Sequence, residues 1–209
     1  MIIFVTGIGT GIGKTVISAI LTEALEADYI KPVQAGYAEG TDTEWVASRI
    51  QNKRSRILPE IYKLKLAASP HIAAREENIE ISIKKICDAI PANSSNLIME
   101  GAGGLLVPLN QNEFVADLIR AIDAKVILVS RNYLGSINHS LLTASVCKEK
   151  NLPVLGWIFN DHYLNYEEEI VKWSGFPRIA SVPFVKDPNR GFIKDKADGI
   201  KEQLLQLLC

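Results

Sequence analysis

The sequence has few of the features that membrane, secreted and metal-rich proteins require. Its 209 residues contain no run that approaches the roughly 18 apolar residues of a membrane-spanning helix. Cys87, Cys147 and Cys209 lie far apart and form no C-x-x-C pair, which disfavours a disulfide framework and a zinc site and favours a reducing compartment. No cationic segment precedes the short apolar stretch Met1–Val5, so a secretory signal is not expected. We therefore predict a cytoplasmic protein.

An excess of charge of one sign is also lacking. The 23 basic and 24 acidic residues give a net charge of −1, so no overall field attracts the chain to nucleic acid or to anionic lipid. The basic run Lys53–Arg56 follows a predicted helix, and we interpret it as favouring the C-terminal end of that helix dipole. The three histidines show no metal-ligand pattern, and no Ser/His/Asp motif is visible. We expect no nucleic-acid partner and no membrane partner.

What the sequence does contain is a regular alternation of strand-length apolar runs and segments of helical period. The predicted strands are Ile2–Thr6, Tyr29–Val33, Leu97–Glu100, Lys125–Ser130, Val154–Asn160 and Ile179–Phe184. The predicted helices are Lys14–Leu25, Thr43–Ile50, Ile81–Ile90, Phe114–Ile122, Ile137–Lys150 and Ala197–Leu208. Several strands are almost continuously apolar, which is typical of strands covered on both faces. The pattern predicts one α/β domain over residues 1–209, with a mainly parallel β-sheet and helices on both faces.

The strongest local signal is a glycine-rich loop between the first strand and the first helix. It reads Thr6-Gly7-Ile8-Gly9-Thr10-Gly11-Ile12-Gly13-Lys14-Thr15. Glycines allow backbone N–H groups to turn inward and bind phosphate at the positive end of the helix. Lys14 can reach the β- and γ-phosphates, and the Thr15 hydroxyl can ligate Mg²⁺. The sequence therefore predicts the nucleotide-binding fold of the phosphate-loop NTPases, with ATP as co-substrate and Mg²⁺ as cofactor.

The loop is a variant, because the position five residues before Gly13 is Ile8 rather than glycine. Such variants are typical of a class that includes partition and septum-site ATPases and ATP-dependent amide-forming enzymes. In the partitioning proteins a signature lysine stands four residues before the glycine of Gly-Lys-Thr, and here Gly9 stands at that position. Gly9 argues against a partitioning or positioning ATPase, but this alternative stays open at this point.

Three further charged residues are candidates for the same site. Glu100 ends an apolar strand and precedes a Gly-Ala-Gly-Gly sequence, so it is a candidate Mg²⁺ ligand. Asp42 is a second candidate, although Thr41 and Glu44 have capping-box spacing and Asp42 could simply complement the helix dipole. Lys31 interrupts an apolar strand, and it could either extend from the end of the sheet to solvent or neutralise phosphate charge.

Together these residues give a sequence that resembles the dethiobiotin synthetase family of the biotin pathway along nearly its whole length. The matching blocks, quoted by their residues, are Phe4–Gly7 with Gly13–Thr15, Lys31–Gly36, Asp42, Ser69–Ala73, Glu100–Gly104, Leu134–His139, Gly156–Asp161 and Val182–Pro183. The phosphate loop is shared by many functions, whereas the Lys-Pro-Val and Leu-Gly-x-Ile-Asn-His blocks and their order are much more specific.

The resemblance implies a role for each matching position. Lys14 and Lys31 would be catalytic, and Thr15, Asp42 and Glu100 would hold Mg²⁺. The nucleotide site would comprise Gly11, Ile12, Gly13, Lys14, Thr15, Val16, Asp42, Glu100, Gly101, Ala102, Gly103, Asn160, Asp161, Pro183, Phe184 and Val185. The substrate site would comprise Thr10, Lys31, Ala35, Gly135, Ser136, Ile137 and Asn138, with the last four contributed by the partner subunit of a homodimer.

The activity that the resemblance implies is ATP-dependent conversion of 7,8-diaminononanoate and CO₂ to dethiobiotin. Two features depart from the family pattern: the phosphate loop has Gly9 and Gly11 where acids are usual, and Ala35 stands where Ser or Thr is common. These departures concern the diamine end of the substrate. They leave open a third possibility, another ATP-dependent amide- or ureido-forming ligase with a related substrate.

Overall fold

The computed structural model describes residues 1–93, 96–161 and 163–208, so His162 and Cys209 lie outside the described residues. Eight strands lie in these ranges: β1 (Ile2–Gly7), β2 (Asp28–Ile30), β3 (Val33–Ala35), β4 (Tyr62–Leu64), β5 (Leu97–Glu100), β6 (Lys125–Arg131), β7 (Val154–Asn160) and β8 (Arg178–Val182). The helices of the same ranges are α1 (Lys14–Leu25), α2 (Asp42–Arg49), α3 (Pro70–Glu76), α4 (Ile83–Asp88), α5 (Val115–Ala121), α6 (Ser136–Glu149), α7 (Glu167–Ser174) and α8 (Arg190–Leu208).

The main sheet has the strand order β2-β5-β1-β6-β7-β8, and every neighbouring pair is parallel. Buried residues of α1, α2 and α8 pack on one face of this sheet, and those of α3 to α7 pack on the other. The predicted fold class is therefore confirmed. Because all strand C-termini lie along one edge, the loops after β1, β5, β6 and β7 meet there. Across the described residues, no helix is both long and apolar enough to cross a membrane.

The predicted strand Tyr29–Val33 is wrong as a single element. The chain leaves the main sheet after Ile30, and Val33–Ala35 pairs instead with Tyr62–Leu64 in a separate two-stranded sheet. Pro32 explains the break, because it has no N–H to donate to a ladder. Its carbonyl accepts hydrogen bonds from the N–H groups of Ile61 and Tyr62. The break places Lys31 at the C-terminal edge of the main sheet.

Three short elements were not predicted: β4, α3 and α7. Their sequences nevertheless contain the usual boundary signals. Pro70 is in the first turn of α3, and three glutamates start α7, which Gly175 ends in the left-handed conformation at φ 73°. The predicted C-terminal helix is also longer than expected, since it begins at Arg190 rather than Ala197. The last strand is shorter, and it ends before Pro183.

The added first turns of α8 contribute to the core, which gives a test of the fold. Ile193 is completely buried in the cluster formed with α1 and α2. We expect Ile193→Ala to lower the free energy of unfolding by about 2–5 kcal/mol, because it removes buried apolar contacts and leaves a cavity. Leu205→Ala on the same helix is the control, because Leu205 is half-exposed, and it should cost about 1 kcal/mol or less. Equal costs in chemical denaturation would contradict this packing.

Candidate active site

The phosphate loop connects the end of β1 to the start of α1 at Lys14. Gly11 and Gly13 have φ values of 71° and 94°, which lie in the left-handed region that side chains rarely adopt. A Cβ atom at Gly13 would lie 2.1 Å from Nδ2 of Asn160, so only glycine fits. The same Asn160 amide donates a hydrogen bond to the carbonyl of Ile12 (2.9 Å). The end of β7 therefore fixes the shape of the loop.

Lys14 folds back over this loop. Its ammonium donates to the carbonyl of Gly9 at 2.6 Å, and its side chain is buried. Burial lowers the pKa of Lys14 from 10.5 to about 8, because the charged form loses its hydration; Glu100 acts in the opposite direction. The position of this ammonium over the loop is suited to a phosphate ligand.

Lys31 lies between the two predicted metal-binding acids. It is 7% exposed, and its ammonium donates to Oδ2 of Asp42 and, at 3.0 Å, to Oε1 of Glu100. Burial by itself lowers the pKa of Lys31, but the two carboxylates outweigh burial and the pKa is raised overall. Lys31 therefore carries its charge at neutral pH. The alternative of a lysine extending from the sheet into solvent does not fit this burial.

Asp42 owes its position to the first turn of α2. The capping box is present as the spacing indicated: the Thr41 hydroxyl accepts from the Glu44 N–H (3.1 Å), and the Glu44 carboxylate accepts from the Thr41 N–H (2.9 Å). The Asp42 N–H also donates to the side chain of Gln34, at 3.3 Å. The two interpretations of Asp42 are thus compatible, because the cap positions the carboxylate against Lys31.

Glu100 is 1% exposed and accepts hydrogen bonds on both oxygens. Oε1 accepts from the Thr15 hydroxyl at 2.9 Å, and Oε2 accepts from the Tyr29 hydroxyl at 2.9 Å. Burial, followed by the charge of Glu100, raises the pKa of Tyr29 well above its usual value, so the phenol remains a donor. Tyr29 was missed as a site residue. Its position in the strand beside Glu100 gave no separate signal in the sequence.

The three metal candidates therefore lie in one hydrogen-bonded network around Lys31. Their donors are two carboxylates and a hydroxyl, the oxygen ligands that Mg²⁺ prefers, and phosphate oxygens usually complete such a site. Among the described residues, this site included, no group of three or more His, Cys, Asp or Glu side chains could hold a metal by itself. The donor set of Thr15, Asp42 and Glu100 fits Mg²⁺ delivered with a nucleotide.

Two cavities lie next to the loop. A small one of about 220 Å³ is lined by the predicted nucleotide residues Gly11, Gly13, Val16, Asn160, Pro183, Phe184 and Val185, and also by Trp45 and Phe192. Its size and its position beyond the phosphate loop suit a nucleobase. A larger one of about 1010 Å³ is lined by Thr10, Gly11, Ile12, Asp161, Pro183 and Phe184.

The larger cavity also has walls that sequence reasoning missed. Arg131 lines both cavities, donates to the Asp161 carboxylate (3.3 Å) and stacks on Phe184, with its guanidinium 4.9 Å from the ring centroid. Asn132 is 2% exposed, and its amide atoms make no hydrogen bond to the described residues. Arg131 is the last residue of β6 and Asn132 directly follows it. That position at the C-terminal edge of the sheet was the available signal.

Comparisons with known proteins agree with a nucleotide-binding site. A family model described as an AAA domain matches residues 2–190. The ATP-dependent dethiobiotin synthetase BioD of Cytophaga hutchinsonii is 52% identical over 181 residues, which cover 86% of each chain. The enzyme of the same name from Christiangramia forsetii is 41% identical over 208 residues, or 98% of each chain.

The chain belongs to the ATP-dependent dethiobiotin synthetase family. Use of ATP follows from that membership. The fold is shared more widely: the cell division ATPase MinD of Pyrococcus furiosus aligns with 99% of this chain and 98% of its own, with a TM-score of 0.61 and 15% identity. A ParA-family ATPase of Chlorobium tepidum aligns with 99% of this chain and 97% of its own, with a TM-score of 0.56 and 15% identity. These likenesses show the fold alone.

Two of the glycines after Glu100, Gly103 and Gly104, are packed against the phosphate loop. A Cβ atom at Gly104 would lie 3.1 Å from the Gly7 carbonyl, and the space beside Gly103 is bounded by Val107 and the Thr10 hydroxyl. Gly103 and Gly104 therefore border the loop, whereas a Cβ atom at Gly101 would meet Phe4 of β1. The assignment of Gly101, Ala102 and Gly103 to the nucleotide site stays a prediction. Ala35 ends β3 and is only half-buried.

The predicted substrate residues Gly135, Ser136, Ile137 and Asn138 lie apart from the network around Lys31. They form the start of α6, and among the described residues none of the four lines either cavity. The Ser136 hydroxyl is occupied within the chain by Tyr166 (2.6 Å) and by the Tyr133 N–H (3.3 Å). Within one chain, the structure does not bring this segment to the site.

The lowered pKa of Lys14 predicts the pH dependence of nucleotide binding without divalent metal. A bound phosphate stabilises the charged ammonium of Lys14. Above about pH 8 the ammonium of the free protein has largely lost its proton, so nucleotide binding should be accompanied by proton uptake. Affinity for ADP in EDTA should therefore fall as pH rises from about 7 to about 9. Calorimetry in buffers of different ionisation enthalpy should show uptake that approaches about one proton.

The control for this measurement is Lys14→Arg, whose guanidinium stays charged over that range. Its nucleotide affinity should be nearly independent of pH. Absence of proton uptake by the unsubstituted protein at about pH 9 would contradict the burial of Lys14 as the cause.

Proposed function

We propose that the protein catalyses the ATP-dependent carboxylation and ring closure of 7,8-diaminononanoate with CO₂, giving dethiobiotin, ADP and phosphate. The observation that carries this proposal is the single network in which Lys31 contacts both Asp42 and Glu100, with Thr15 of the phosphate loop bonded to the same Glu100 oxygen. The names of relatives at 52% and 41% identity support the choice of substrate.

The proposed reaction has three bond-forming steps. CO₂ adds to one amine of the substrate and a proton leaves, which gives a carbamate. A carbamate oxygen then forms a bond to the γ-phosphorus of ATP while the bond from that phosphorus to ADP breaks. The second amine attacks the carbonyl carbon of this mixed anhydride, phosphate leaves, and the nitrogen loses a proton as the ureido ring closes.

The residues would contribute by positioning and by charge rather than as nucleophiles. Lys14 would neutralise the phosphate chain, and Lys31 would neutralise the carbamate and the transferring phosphoryl group, where charge develops. When bound at Thr15, Asp42 and Glu100, Mg²⁺ would neutralise further phosphate charge. Because Lys31 and the two acids are held by each other and by the cap of α2, little reorganisation is needed for this chemistry.

We also propose positions for the two ends of the ligands. The small cavity beside Asn160 and Pro183–Val185 would hold adenine. The substrate carboxylate would bind at the start of α6 in the partner subunit, where the backbone at Gly135–Asn138 forms a helix N-terminus. The Ser136 N–H already donates to the Tyr133 carbonyl, so the N–H groups of Gly135, Ile137 and Asn138 would serve. With no side chain at Gly9 or Gly11, neither position supplies an acid to the diamine end, which would depend on Lys31 and on backbone groups.

Rival functions receive less support. The MinD and ParA proteins share the fold with this chain but are only 15% identical to it in sequence. At the position of the partitioning lysine, Gly9 has no side chain, and its carbonyl accepts a hydrogen bond from Lys14 of the same chain. A related amide- or ureido-forming ligase would use the same ATP machinery, so the product distinguishes it. The cytoplasmic location stays a prediction.

The decisive test is detection of the product. Purified protein with diaminononanoate, bicarbonate and Mg-ATP should give dethiobiotin by mass spectrometry. Lys31→Ala should lower kcat by about 10²- to 10³-fold, the scale for loss of one preorganised charged donor. Lys84→Ala, which removes an exposed ammonium paired with Asp88, is the matched control. A loss below about threefold for Lys31→Ala would refute the role of Lys31.

The homodimer can be tested separately at the loop before α6. Leu134 is 89% exposed in the single chain and directly precedes the proposed tail-binding segment. We expect Leu134→Asp to raise the dimer dissociation constant by about tenfold or more, since it places a charge in an apolar contact. Leu205→Asp on α8 is the control. Unchanged mass in light scattering at low concentration would argue that Leu134 lies outside any dimer interface.

A further inference from the structure

The two oxygens of Glu100 have different surroundings. Oε1 accepts from Thr15 and Lys31, the residues that connect it to the phosphate loop and to Asp42. Oε2 accepts from the hydroxyl of Tyr29, a side chain that is completely buried. The carboxylate therefore has one oxygen facing the site and one oxygen held by the core.

The sheet explains why Tyr29 can reach Glu100. In the register of β2 with β5, Tyr29 is opposite Ile98, and Glu100 is two residues further along the same face. Tyr29 is itself fixed from the other edge, where its N–H donates to the Arg56 carbonyl and its carbonyl accepts from the Leu58 N–H, both at 2.9 Å. The backbone of Tyr29 is thus hydrogen-bonded on both sides, which fixes the position of its phenol.

We propose that Tyr29 is a positioning residue for the metal site: its hydroxyl fixes the rotation of the Glu100 carboxylate so that Oε1 faces Thr15. This inference rests on the Mg²⁺ site of the proposed function. Thr15 and Lys31 cannot perform the same task alone, because both contact Oε1 and neither restrains Oε2. Hydrogen bonds that orient a ligating carboxylate commonly change metal affinity by about 10- to 100-fold when they are removed.

The test measures metal binding without turnover. Mn²⁺ is titrated into protein saturated with ADP and followed by electron paramagnetic resonance, with no diamine present. Tyr29→Phe, which keeps the buried ring, should weaken Mn²⁺ binding by about tenfold. The affinity for ADP in EDTA should change by less than about twofold, because the phosphate loop itself is intact.

Tyr62→Phe is the matched control, because it also removes a buried phenol that is hydrogen-bonded, in that case to the Ser82 N–H at 2.9 Å. It should leave Mn²⁺ affinity unchanged. A double-mutant cycle then separates positioning from general damage: in a Glu100→Ala background, Tyr29→Phe should cause a further loss below about twofold.

Additive losses in that cycle, or an unchanged Mn²⁺ affinity in Tyr29→Phe, would overturn the positioning role. A parallel loss of ADP affinity in EDTA would also overturn it, since that would indicate a general structural effect. These outcomes do not depend on the organic substrate. Failure to form dethiobiotin would therefore refute the proposed function, and it would be distinguishable from each of these metal-binding outcomes.

Discussion

The contact of the Lys31 ammonium with Asp42 and Glu100 is the constraint on which the site depends. These groups come from three separate places in the chain, and two of them are almost completely buried. A buried charge that lacks a partner is costly, and deleting one member of such a group leaves the others unpaired. The network therefore requires that the end of β2, the start of α2 and the end of β5 keep their relative positions.

Local sequence features create those positions. β2 ends at Ile30, and Lys31 stands between that end and Pro32, so that its side chain lies at the sheet edge. The capping box of Thr41 and Glu44 starts α2 at Asp42, and the short β5 ends at Glu100. Each is an ordinary device for ending or starting an element. Together they bring the Lys31 ammonium and the carboxylates of Asp42 and Glu100 into contact, and Thr15 of the phosphate loop bonds to Glu100.

The sequence was informative where one local rule determined the outcome. Continuous apolar strands, the Gly-Lys-Thr ending and the spacing of Thr41 and Glu44 each predicted what the structure contains. The sequence was less informative where pairing between distant segments determined the structure, as for Val33–Ala35, which pairs with β4 in a second sheet. The same holds for Tyr29, whose contact with Glu100 joins residues distant in the chain. The lowered pKa of Lys14 also required knowledge of its burial.

The close approach of Asn160 to Gly13 has a consequence for nucleotide choice. The side chain that would contact the base is also the one that fixes the turn around the phosphates. A substitution that altered preference among purine and pyrimidine nucleotides through Asn160 would therefore disturb phosphate binding as well. Base selectivity in this protein would therefore have to evolve through the other wall of the small cavity, where Phe184 packs against Arg131.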